Sequence, residues 1–214
     1  MSGMRIDHVS YAAESDGLVA TAKRLAGLLG LTPRDGGIHP RFGTRNMILP
    51  LAEGRYVEVV EVLDHPAADK APFGQAVRAR SVTGGGWMGW VVAVDDLAPI
   101  EERLGRKAVE GNRHTPEGIE LTWRQIGIKG LMADPQLPFF VRWDSLEHHP
   151  STLDDSPVRL AGLEISGNPD RVRDWLGLGP EGDWEPGIRF EFKPNGAPSL
   201  RAVTFETPDG RVTI

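Results

Sequence analysis

Two residues of this chain combine a side-chain type with a setting from which chemistry can follow. His8 lies in the short apolar segment Ile6-Asp7-His8-Val9, and Glu58 in the middle of Tyr56-Val57-Glu58-Val59-Val60-Glu61-Val62. An acid among branched apolar residues is unfavourable to bury unless it is paired, hydrogen-bonded or bound to a cation. A neutral imidazole nitrogen and a carboxylate on neighbouring strands are donors that zinc, iron, nickel or manganese accept. Pleat alternation lets Glu58 or Glu61 face inward, and not both, because an odd number of positions separates them. The plain alternative is structural, with Glu58 on a solvent-facing strand and His8 hydrogen-bonded in the core.

Other residues are candidates for lining a ligand pocket. Gly43-Thr44-Arg45-Asn46 enters a strand, and Arg45 or Asn46 could hydrogen-bond a ligand carboxylate or carbonyl; the bland reading is a strand start with Arg45 in solvent. Trp87, Trp90, Trp123 and Trp143 could form an apolar cleft, although core packing suits at least two of them, Trp90 in particular. Gly84-Gly85-Gly86 lacks the strand-loop-helix context and the Lys-Ser/Thr of a phosphate loop and reads as a hinge. His148-His149 reads as part of an exposed linker, and no Gly-x-Ser-x-Gly motif or Ser/His/Asp set occurs.

The elements that must position these residues form a repeat. Ile6 to Ala13 reads as a strand, Leu18 to Leu29 as a helix with apolar positions at helical spacing ended by Gly30, Gly36-Gly37 as a turn, and Asn46 to Leu51 and Tyr56 to Val62 as strands. The order returns with the strand Trp90 to Val94, a helix Leu97 to Leu104 ended by Gly105, and the strands Ile119 to Trp123 and Phe139 to Trp143. It returns again with Leu160 to Ser166, a helix Pro169 to Leu176 ended by Gly177, and the strands Ile188 to Phe192, Leu200 to Phe205 and Arg211 to Ile214. The fold class is therefore α+β, with βαβββ modules at residues 4–64 and 87–145 and a third, shorter module at 157–214. Residues 65–86 form a connector, partly helical over Phe73 to Ala79, and residues 146–156 a linker.

Composition narrows the partners. The 214 residues carry a net charge of -6, with 40% hydrophobic and 25% charged residues, an ordinary globular composition without the basic footprint of a nucleic-acid or anionic-membrane binder. No cysteine is present, so disulfides, thiol nucleophiles and cysteine-ligated zinc are excluded. The polar opening Met1 to Ile6 and the lack of a long apolar run point to a cytoplasmic protein.

The segments Ile6-Asp7-His8-Val9, Gly36-Gly37-Ile38-His39-Pro40, Gly43-Thr44-Arg45-Asn46 and Tyr56-Val57-Glu58-Val59 resemble the first module of the glyoxalase-like, or vicinal oxygen chelate, superfamily. Gly89-Trp90-Val91-Val92, Asp95-Asp96-Leu97 and Leu137-Pro138-Phe139-Phe140-Val141 extend the resemblance through the second module. The resemblance implies paired βαβββ modules around a cup, a single divalent metal (Zn, Fe, Ni or Mn) with His8 and Glu58 as ligands, and isomerase, lyase or dioxygenase chemistry on a small oxygenated molecule with Glu58 moving a proton. The second module departs from the pattern, with Gly89 at the first-ligand position and Phe139, Phe140 and Arg142 where a carboxylate is expected. His39 or His114 would then have to complete a metal site, and Arg142 would place a positive charge in the cup. The competing reading is a metal-free cup of the same fold that binds or sequesters a small molecule. A homodimer would cover strand edges that an unpaired third module leaves open.

Overall fold

The structure is a computed structural model that describes residues 3–179 and 185–214; Met1 and Ser2 of the polar opening and residues 180–184 of the third module lie outside them. The first module runs β1 (Arg5–Ala12), α1 (Leu18–Leu29), β2 (Arg34–His39), β3 (Thr44–Leu51) and β4 (Arg55–Val62). The connector holds α2 (Pro66–Lys70) and α3 (Pro72–Val82), more helix than Phe73 to Ala79 alone. The second module is β5 (Gly86–Ala93), α4 (Ala98–Leu104), β6 (Val109–His114), β7 (Glu120–Ile126) and β8 (Phe139–Trp143). The third is β9 (Arg159–Ser166), α5 (Pro169–Leu176), β10 (Arg189–Lys193), β11 (Ser199–Thr207) and β12 (Gly210–Thr213).

The first two modules close into one eight-stranded barrel in the order β1-β4-β3-β2-β6-β7-β8-β5. In each, the first strand pairs in parallel with the last, β1 with β4 and β5 with β8, and the modules join where β1 meets β5 and β2 meets β6. The third module has the same element order in a separate sheet, β10-β9-β11-β12, in which its first strand is central. It packs on the barrel's outside: Trp87 Nε1 donates to the Ile214 carbonyl at 2.8 Å, and Trp175 Nε1 to the Pro138 carbonyl at 2.7 Å. One apolar core fills this outer layer together with α1, whose Leu18, Ala22, Leu25, Ala26 and Leu29 are buried as their helical spacing requires. A second, smaller core occupies the barrel interior. Gly30, Gly105 and Gly177 end α1, α4 and α5 in left-handed conformation.

Three local readings are corrected. Gly36-Gly37 is not a turn but the middle of β2, where a register shift sets Asp35 and Gly37 against β3. Gly37 has φ +95°, and a Cβ there would lie 1.8 Å from the His114 carbonyl oxygen; glycine lets β2 and β6 approach and close the barrel. β6 was not foreseen, because Val109 to His114 is mostly polar, and two of its buried residues are Gly111 and Arg113. The linker at 146–156 is packed rather than free: its 3-10 turn at Pro150–Leu153 contacts β3 and β4. Among the described residues no helix is long and apolar enough to cross a membrane.

Candidate active site

Strand alternation turns His8 and Ser10 of β1, Tyr56 and Glu58 of β4 and Asn46 of β3 into the barrel. There His8, Tyr56, Glu58 and Asn46 line a narrow cavity of about 30 Å³ with His39, Phe42, Phe73, Arg113, Trp123, Gln125, Ile128, Phe139, Val141 and Trp143, and Ser10 reaches it through its bond to Glu58. The first module supplies most of the polar wall. The second supplies a mostly aromatic and apolar one, with Phe139 and Val141 on its last strand, interrupted by Arg113 of β6 and Gln125 of β7. An added Cβ at Gly111 would lie 2.4 Å from the Trp123 indole, so a glycine across the strand pair makes room for that ring.

Glu58, not Glu61, faces the cavity. Its Oε2 accepts from Ser10 Oγ at 2.9 Å and its Oε1 from Asn46 Nδ2 at 2.9 Å. Two imidazoles flank it, His8 Nε2 at 3.8 Å from Oε2 and His39 Nε2 at 3.8 Å from Oε1. Burial alone would raise the Glu58 carboxyl, but His8, His39 and the bonds from Asn46 and Ser10 outweigh it and hold the group below its usual value. Burial pushes His39 down to about 4, helped by Arg113 and His8 and opposed by Glu58, so this imidazole is neutral at neutral pH. Burial, with Asp7 and Glu58 nearby, pushes the Tyr56 hydroxyl well up.

Behind His8 stands a group that sequence reading passed over. A bulge in β1 between Ile6 and His8 brings Asp7, fully buried, beside its neighbour, so that His8 Nδ1 donates to Asp7 Oδ2 at 2.9 Å. Asp7 also accepts from His149 Nε2 at 3.2 Å and Trp143 Nε1 at 3.2 Å, and Arg5 lies 3.3 Å away. Burial would raise this carboxyl, yet the hydrogen bonds from His149 and His8 hold it well below the carboxylate range. An ionised Asp7 only accepts, which fixes the proton of His8 on Nδ1 and leaves Nε2 to face Glu58. His149 is therefore no linker residue in solvent, although its neighbour His148 is exposed.

Of the residues singled out from sequence, His8, Glu58, His39, Asn46 and Trp123 come together in the cavity, and Arg45, Trp87 and Arg142 do not. Arg45 is one strand position from Asn46 and so points outward, where its Nη2 pairs with Glu61 at 2.7 Å. Glu61 in turn accepts from the Leu18 amide at the start of α1. Trp87 belongs to the outer core against the third module, with Tyr11 and Phe205. Arg142 lies on the barrel exterior, donating to the Asp95 carbonyl at 3.2 Å and leaving no charge in the cup. His114 ends β6 exposed beside Glu120, which removes it as a third ligand. Arg113 and Gln125 were missed; Gln125 shares the inward parity of Leu121 and Trp123 on β7, whereas the polar β6 carried no such signal for Arg113.

His8, His39 and Glu58 are donors of the types a divalent metal takes. Both imidazole nitrogens stand 3.8 Å from a Glu58 oxygen, beyond hydrogen-bonding distance. Among the described residues no group of three or more His, Cys, Asp or Glu gathers around a point. As they stand the residues do not fit a metal, and their chemistry is that of a buried carboxylate between two imidazoles, able to accept, hold and return a proton in a pocket that is otherwise half apolar.

Paired βαβββ modules closed around such a pocket define a class of protein, the glyoxalase-like barrels. The chain belongs to the glyoxalase-like domain family, whose model matches residues 6–177. The crystal structure of a hypothetical protein from Staphylococcus aureus shares the fold at a TM-score of 0.71, with 13% identity over 94% of this chain and 90% of that one. Methylmalonyl-CoA epimerase from Mycobacterium tuberculosis matches at 15% identity over 65% of this chain and 86% of its own, with a TM-score of 0.43. A variant methylmalonyl-CoA epimerase of Streptomyces coelicolor in complex with 2-nitronate-propionyl-CoA matches at 18% identity over 66% and 97%, with a TM-score of 0.41. Likenesses this distant inform neither substrate nor reaction. No protein of curated function matches the sequence.

Proposed function

We propose that the cavity is an active site for moving a proton on a small oxygenated molecule, in isomerase or lyase chemistry, with Glu58 as the base. The observation that carries this reading is Glu58 itself: 5% exposed, held below its usual value despite burial, and on the wall of a cavity rather than in a closed ion pair. A proton on a carbon next to a carbonyl is the natural target, since removing it needs a fixed base and a donor for the oxygen that becomes negative. His8, its Nε2 facing the same space, is placed to exchange that proton with Glu58, and Asp7 holds the ring in position. Ligand entry that excludes water raises the basicity of Glu58 when it is needed.

The aromatic side chains Trp123, Phe139 and Trp143 of the second half of the cup favour one other reading, a site that holds a small molecule without reaction. A single experiment separates them. A panel of small 2-oxo and 3-oxo compounds is incubated with the protein in D2O and followed by proton NMR. Loss of a signal next to a carbonyl that depends on the protein and disappears in Glu58→Gln supports catalysis. Binding to the unaltered chain with no exchange in any compound supports the holding role and ends the catalytic one.

A further inference from the structure

We propose that Arg113 is the anchor for a carboxylate of the ligand, so that the cup takes small monocarboxylic acids whose apolar part lies on the aromatic wall. The inference rests on the cavity being a ligand site, and it does not depend on whether Glu58 moves a proton.

Arg113 is 2% exposed and lines the cavity from β6. Among the described residues it makes no hydrogen bond and no ion pair, and its Nε is one of the buried polar atoms without a partner. Glu58 and Asp35 act on it through space, without coming within ion-pair distance. Guanidinium groups are almost never buried unpaired, because the lost hydration is not replaced. A buried, unpaired arginine facing a cavity is therefore expected to receive its partner from solution.

Its neighbours extend the same argument. Gln125 Nε2 and Asn46 Oδ1 also lack partners, and both line the cavity. Their orientations are fixed chemically: Trp123 Nε1 only donates, so the atom it meets at 2.7 Å is Gln125 Oε1, and the Glu58 carboxylate only accepts, so the atom it meets is Asn46 Nδ2. This leaves a free donor on Gln125, four residues along β7 from Leu121, the register partner of Arg113, and a free acceptor on Asn46. A methyl-sized volume built on Gly36 would touch both Asn46 Oδ1 and Arg113 Nη1, so the guanidinium stands beside the amide that binds Glu58. A ligand held by its carboxylate at Arg113 thus has its next atoms near Asn46 and Glu58, and Asn46 Oδ1 suits a ligand hydroxyl. Phe42, Phe73, Trp123 and Phe139 receive the apolar remainder. The Glu58 charge disfavours a doubly charged phosphate and leaves a single carboxylate as the better match.

The test uses the full chain with benzoate and its uncharged counterpart benzamide as probes, binding followed by ligand-observed NMR titration. Benzoate is expected to bind at least tenfold more tightly than benzamide, and Arg113→Met to remove that preference while Arg113→Lys keeps part of it. A structural arginine would lower the melting temperature when replaced. An anchor waiting for a ligand leaves it unchanged or higher in Arg113→Met, since an unpaired buried charge has been removed. Should Arg113→Met not fold, Arg113→Lys with the benzoate and benzamide comparison on the unaltered chain decides. Equal affinity for the two probes, no binding of benzoate, full benzoate affinity in Arg113→Met, or displacement of benzoate by an equal concentration of inorganic phosphate each overturns the proposal. Failure of proton exchange in D2O with the benzoate preference intact would remove the catalytic reading alone.

Discussion

Asp7 and His8 are consecutive residues of one strand, yet His8 Nδ1 donates to Asp7 Oδ2 at 2.9 Å. A regular pleat would send the two side chains to opposite faces; the bulge between Ile6 and His8 allows both to turn the same way. The pair joins the cavity to the packed linker, because the other Asp7 oxygen accepts from His149.

Asp7→Asn should therefore destabilise the fold by about 3 kcal/mol at pH 7, as expected when one member of a buried, fully paired network loses its charge. The folded carboxyl lies well below its unfolded value, so its stabilisation is complete above about pH 4 and is lost as pH falls below that. Urea unfolding of both proteins checks this, with a gap that is full at pH 7 and narrows on acidification. Identical midpoints at pH 7 would remove Asp7 as a structural anchor.

His39 predicts a second, separate pH dependence. Its folded value of about 4 lies below the unfolded 6.5, so the unfolded chain takes up this proton first and stability falls as pH drops from 6.5 towards 4. The full change is roughly 3 kcal/mol for a shift of this size. His39→Gln, which can still hydrogen-bond Thr44, should flatten the curve in that window and leave the more acidic limb from Asp7. A measured slope unaltered by the substitution would mean that His39 takes up its proton alike in the folded and unfolded chains.

Much of this was legible in the sequence, and the gaps have physical causes. Three helices ending at glycine, and the alternation that lets only one of Glu58 and Glu61 face inward, come from local patterns that tertiary contacts did not override, while the choice of Glu58 needed the barrel. The cup's second wall was opaque because β6 reads as polar, and its two key positions make sense only inside a barrel, where Gly111 clears Trp123 and Arg113 meets the cavity. Arg45 and Arg142 were drawn to the site by charge, but each lies one residue from an inward-facing neighbour, and one position reverses the face of a strand. Asp7 and His149 could not be paired from sequence, since 142 positions separate them.

Chelation should leave the protein intact. Ser10 and Asn46 already bond the Glu58 carboxylate, and among the described residues no group of three or more His, Cys, Asp or Glu is arranged to hold an ion, so the fold is expected to draw no stability from one there. Dialysis against EDTA is expected to shift the melting temperature by less than about 1 °C, whereas a metal essential to the fold contributes several kcal/mol and hence several degrees. A fall restored by one of zinc, iron, nickel or manganese would show that His8, His39 and Glu58 close around that ion in solution.

Barrel closure can be tested at Gly37 by comparison with Gly105. Both have positive φ, so alanine at either position meets the same kind of backbone strain, about 1 kcal/mol. They differ in their surroundings: a Cβ at Gly105 has nothing within 4 Å, and one at Gly37 would lie 1.8 Å from the His114 carbonyl oxygen. Because β2 and β6 meet through the single pair Ile38 and His114, the clash has to be relieved by parting the two strands at the seam. Gly37→Ala should then lose about 3 kcal/mol against about 1 kcal/mol for Gly105→Ala, both read by chemical denaturation. Parting the seam also moves β6, which carries Arg113, so benzoate affinity should fall in Gly37→Ala and hold in Gly105→Ala. Equal losses of stability in the two variants would mean that the strain is wholly in the backbone and that the β2–β6 contact contributes nothing to holding the cup shut.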